Sequence, residues 1–77
     1  QVSGDYSNFQ SPVPADWGDR SISSLDIRRK HAVNILAVEA KDGHIDAMPG
    51  ADHVFHAGDK LLILGKSRDV FRLTDRA

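Results

Sequence analysis

Apolar residues gather in three stretches of the chain, and their spacing predicts different elements. "VNILAVEA", Val33 to Ala40, is apolar and β-branched at both alternating sets of positions, the pattern of a strand covered on both faces, with Glu39 marking its end. Lys60 to Leu64 carries "LLIL", a second buried strand closed by Gly65. After Ser67, a candidate N-cap, Val70 and Leu73 (with Phe71 beside them) recur at helical spacing.

Polar positions fill in the connections. Lys41-Asp42-Gly43-His44 contains an Asp-Gly pair suited to a two-residue hairpin turn, so His44 to Met48 is a returning strand that Pro49-Gly50 interrupts. Val54-Phe55 is a short extended piece, and Ala57-Gly58-Asp59 turns the chain into Lys60. Upstream, Ser23 and Asp26 have capping-box spacing, and Ile22 and Ile27 stand where a hydrophobic staple would be. A helix over Ser24 to His31 follows, with Arg28, Arg29 and Lys30 in its last turns, where cations suit the macrodipole. Prolines confine any earlier strand, at Tyr6 to Gln10 or Ser11 to Val13, to a sheet edge. The order is β-α-β-β-β-α, an α+β sheet-and-helix sandwich, with residues 1–12 as a lead-in and 13–77 as the domain proper.

Composition changes the picture in one respect. A domain of 77 residues without cysteine buries only about 60% of its unfolded surface and has no disulfide or thiolate site to staple it. Burial against a second copy is the expected remedy, so a homodimer is expected. Ten Lys plus Arg against eleven Asp plus Glu, for a net charge of −1, lack the basic footprint of a nucleic-acid binder. No apolar run reaches the roughly 18 residues of a membrane span, and the first residues given lack the charged and apolar regions of a secretory signal. Starting at Gln1, the chain is expected to be part of a longer protein.

Catalytic chemistry finds little support. No Gly-x-Ser-x-Gly elbow and no glycine-rich phosphate loop occur, so neither a nucleophile nor a self-contained nucleotide fold is expected. His53 and His56, even with His44 and Asp52, form no complete ligand set, and no metal or other cofactor is expected. Arg28 and Asn34 are of more interest. They are six positions apart, and the helix-to-strand turn can bring them alongside one another. An arginine fork suits phosphate, and an amide can both donate to and accept from a base or ribose. On a continuous helix Asp26 would point about 200° away from Arg28, toward another partner. Asn34 reads equally well as a buried amide that fixes strand register.

"SISSLDIRRKHAVNILAV", followed by Pro49 and "HAGDKLLILG", resembles the C-terminal domain of regulators of potassium conductance (RCK, or TrkA-C) over about residues 13 to 75. The matching positions are Ile22, Asp26, Arg28, Asn34, Ile35, Leu36, Gly58 and Asp59. The family forms the tail of cytosolic gating subunits of Trk and Ktr potassium uptake systems, and the members closest to this sequence bind cyclic di-AMP at a two-fold dimer interface. The resemblance implies that Ile22 and Ile27 pack on adenine, Arg28 faces phosphate, and Asn34 bonds base or ribose. It also implies that Asp26 adds polar contacts while Ile35 and Pro49 close the pocket. A non-catalytic cytoplasmic domain follows, peripheral to the membrane and partnered through its full-length protein with a membrane-embedded cation transporter. Another transporter, an antiporter or a transcription regulator is the alternative parent. Ser23 stands where a second aliphatic is typical, and His31-Ala32 replaces Tyr-Gly, so the left-handed helix end is expected to close differently.

Overall fold

The computed structural model describes residues 6–75. Four strands form one antiparallel sheet: β1 (Tyr6–Pro12), β2 (Asn34–Glu39), β3 (Ile45–Ala47) and β4 (Lys60–Lys66), in the spatial order β1-β4-β2-β3. Between β1 and β2 lie a 3-10 turn (Ala15–Trp17) and two short helices, α1 (Ile22–Leu25) and α2 (Ile27–His31). α3 (Ser67–Thr74) follows β4 directly. The fold is thus α+β in the expected element order. β1 covers the first expected edge piece and the start of the second, and pairs with β4 over its whole length, from Tyr6 opposite Lys66 to Pro12 opposite Lys60.

Helices cover one face of the sheet. Beneath them the core gathers Trp17, Leu25, Ile27, Val33, Val38, Phe55, Leu61, Ile63, Val70 and Leu73. Along β4 burial therefore alternates: Leu61 and Ile63 are buried, Leu62 and Leu64 only half so. β2 likewise is not covered on both faces, since Val38 is its one buried residue. Its continuous apolar run has another cause, a bulge between Ile35 and Ala37 that leaves Leu36 without a register partner. The extra residue shifts the alternation, so that Ile35 (opposite Ile63) and Val38 (opposite Leu61) both face the core.

Gly65 does not end β4 but lies inside it, buried. A Cβ there would stand 2.9 Å from Val33 Cγ1 and 3.3 Å from Val70 Cγ2, so the missing side chain is what lets these neighbours approach. Ser67 is the first residue of α3 and not its cap; Lys66 holds the cap position, without a side-chain hydrogen bond. Phe71 is 53% exposed and meets Phe9 edge-on, with ring centroids 6.0 Å apart.

The helical segment also departs from expectation. Its capping box is formed by Ser21 and Ser24, each backbone N–H donating to the other's Oγ at 3.1 Å. Ile22 is then the first helical residue, two positions too late for a staple. Asp26 takes the left-handed conformation (φ 51°), its N–H reaching the Ile22 and Ser23 carbonyls, and the continuous helix becomes two. Ala32 ends α2 in the same left-handed region (φ 60°), its N–H donating to the Arg28 carbonyl at 3.0 Å. The turn closes with alanine as it would with glycine.

Candidate ligand-binding cleft

Backbone hydrogen bonds tie the segment after β3 to the start of α1. Ile22 N–H donates to the His53 carbonyl (3.0 Å) and Ser23 N–H to the Ala51 carbonyl (2.9 Å), while Ser21 bridges Val54. On the same side, Met48 N–H donates to the Leu36 carbonyl (2.9 Å), fixing the β3 exit against the β2 bulge. Pro49 is thereby held opposite Ile22 and Ile35. The result is a cleft of about 430 Å³ lined by Ile22, Ser23, Asp26, Ile27, Arg28, Val33, Asn34, Ile35 and Pro49.

All seven residues singled out from the sequence line this one cleft, although they come from α1, α2, β2 and the loop after β3. Their environments differ from expectation at three points. Asp26 and Arg28 line the same cleft, and the left-handed backbone at Asp26 breaks the helix just before Arg28. Ile27 is only 3% exposed and spends its side chain on the core, so the apolar walls open to a ligand are Ile22, Ile35 and Pro49. Asn34, first residue of β2, is exposed and not a buried register amide.

Of the two further lining residues, Val33 was not singled out from the sequence and Ser23 was noted only as a departure from the family pattern. Val33 is a core residue that presents an edge to the cleft; its place directly before Asn34 was the available signal. Ser23 lies exposed in the lining at the position where an aliphatic was expected. Charge is sparse, with Asp26 and Arg28 the two ionised groups of the lining. Among the described residues Arg28 forms no salt bridge, whereas Asp26 accepts from Arg29 Nε. The cleft can thus offer a guanidinium fork and an amide between apolar walls, a set suited to an anionic ligand with a flat apolar body.

His53 is used differently from the metal hypothesis considered for it. Its Nδ1 lies 2.8 Å from Asp46 Oδ2 and its ring packs edge-on to Phe55. Among the described residues no group of three or more His, Asp or Glu assembles, and no helix is long and apolar enough to cross a membrane.

Known structures share this fold. The RCK C domain of the potassium transport protein KtrA, solved with cyclic di-AMP, superposes with a TM-score of 0.82 at 24% identity over 92% of this chain and 82% of that one. The RCK_C domain dimer of S. agalactiae BusR, also with cyclic di-AMP, gives 0.77 at 24% identity over 91% and 86%. BusR was also solved with its busAB-promoter DNA, and there the match is 0.71 at 22% over 90% of this chain and 33% of that one. The RCK domain of GsuK gives 0.79 at 24% identity over 90%, but this chain spans only 15% of that one. At these identities the likeness establishes the fold alone. No match is found among curated protein sequences. Residues 10–76 match the model of the TrkA-C domain, and the chain belongs to that family.

Proposed function

We propose that this domain is a non-catalytic sensor that binds cyclic di-AMP across a homodimer interface and thereby regulates a cation transport system, through a full-length protein on the cytoplasmic side of the membrane. The observation that carries the reading is the convergence of Ile22, Asp26, Ile27, Arg28, Asn34, Ile35 and Pro49 on one cleft in which Arg28, among the described residues, has no carboxylate partner. The KtrA and BusR domains of the same fold, each solved with cyclic di-AMP, support it. In this reading two Arg28 side chains, related by the dimer axis, each meet one phosphate of a two-fold symmetric ligand. Ile22, Ile35 and Pro49 hold the adenines and Asn34 bonds base or ribose. Regulation follows from differential affinity: the ligand favours whichever arrangement of the dimer fits it better. A transcription regulator is the alternative parent, favoured by the BusR complex with promoter DNA; DNA contacts would then belong to another part of that parent.

Calorimetric titration with cyclic di-AMP, beside ATP and cyclic di-GMP, tests the ligand. Cyclic di-AMP should bind preferentially, and Arg28→Ala should weaken it roughly 10- to 100-fold, the worth of a charge-assisted hydrogen bond. Absence of heat at high micromolar cyclic di-AMP would overturn the assignment.

A further inference from the structure

The side chain of Arg29 does not line the cleft, yet it pairs with a carboxylate that does. Asp26 and Arg28 are the ionised groups of the lining, and a bare carboxylate beside a guanidinium would leave the site neutral overall. Arg29 Nε donates to Asp26 Oδ2 from the exposed side of α2, in an i,i+3 pair with side chains 73% and 43% exposed. Asp26 holds the N-cap position of α2 in the left-handed conformation, three residues before Arg29. We infer that Arg29 is a positioning and specificity residue for the cleft: it draws off the Asp26 carboxylate so that Arg28 acts as a net positive charge toward an anionic ligand. This inference rests on the cyclic di-AMP reading above.

Charge matching gives the idea its content. With Asp26 compensated, each protomer offers one net positive charge and a two-fold pair offers two, equal and opposite to the two diester phosphates of a cyclic dinucleotide. Without Arg29 each phosphate would meet Arg28 and a competing carboxylate on the same short helical segment. The ion pair is solvent-exposed and worth little to stability by itself, so its consequence should appear in binding. Screening by salt should diminish that consequence as ionic strength rises.

Titration of the wild-type chain, Arg29→Ala, Arg29→Lys, Asp26→Asn and the Asp26→Asn/Arg29→Ala double variant with cyclic di-AMP, at low and high salt, tests the inference. Arg29→Ala should weaken binding roughly 10-fold at low salt and by less at high salt, and Arg29→Lys should restore most of the loss. In the Asp26→Asn background Arg29→Ala should have little further effect, because no carboxylate remains to be drawn off. Asparagine is chosen because it tolerates the left-handed backbone as aspartate does. Binding by the wild type with no loss in Arg29→Ala, or an equal loss in both backgrounds, would overturn the role of Arg29 while leaving the ligand assignment standing. No binding by the wild type would remove the ligand assignment, and the inference with it.

Discussion

Ala32 carries a conformation that its side chain does not favour. At φ 60° and ψ 30° the Cβ crowds its own backbone, a cost of about 1–2 kcal/mol that glycine escapes. Glycine loses more freedom on folding, which offsets about 0.4–1 kcal/mol of that gain. Ala32→Gly should therefore stabilise the domain by about 0.5–1 kcal/mol in urea unfolding at fixed chain concentration, and an equal or lower midpoint would count against the strain. Residue type at this scale pointed to an arginine and an amide at a helix-to-strand turn, and the family resemblance supplied the aliphatics and the proline that line the candidate cleft with them. What residue type could not tell was exposure. Asn34, read equally as a buried amide and as a ligand contact, stands exposed at the start of β2, while Ile27, which lines the cleft, is also a core residue. Arg29, expected at a helix end, lies in the last turn of α2 and also pairs with Asp26.

Elements fail or succeed here by how local their signals are. The last strand and helix were plain from apolar spacing, but Gly65 read as a terminator when its reason is tertiary. Val33 and Val70 pack where its side chain would be, so Gly65→Ala should cost about 1–3 kcal/mol through overpacking. Val33→Ala should remove part of that penalty, so the double variant should be more stable than the sum of the two losses predicts; strict additivity in chemical denaturation would exclude the contact. The same dependence on a distant partner, the β4 register, hid the bulge at Leu36, and the break at Asp26 left no mark in the apolar spacing. Periodicity showed an apolar run in β2, and a run covered on two faces looks the same as a run whose phase shifts by one residue. Both irregularities bear on the cleft. The bulge lets Ile35 and Val38 share the core side, and the break falls at Asp26, which shares one lining with Arg28.

For the whole molecule, the α+β order was readable because the turns at Lys41–His44 and Ala57–Asp59 punctuate the apolar runs, although nothing separates β4 from α3. Assembly is the remaining property of that scale. Helices cover one face of the sheet, and folding of a single chain leaves Ile45 60% and Met48 87% exposed, with Leu62 and Leu64 half-buried. So much apolar surface on so small a domain favours association, and Met48 directly precedes Pro49 of the cleft wall. If two clefts share one ligand, binding and dimerisation are linked: the ligand must strengthen the dimer by the same factor by which dimerisation strengthens ligand binding. Sedimentation equilibrium across chain concentrations should show a homodimer that saturating cyclic di-AMP tightens, and calorimetry should give one ligand per two chains. One ligand per chain, on a species that sediments as a monomer at every concentration, would exclude a shared site. It would leave each cleft as a separate half-site, with Arg28 facing a single phosphate.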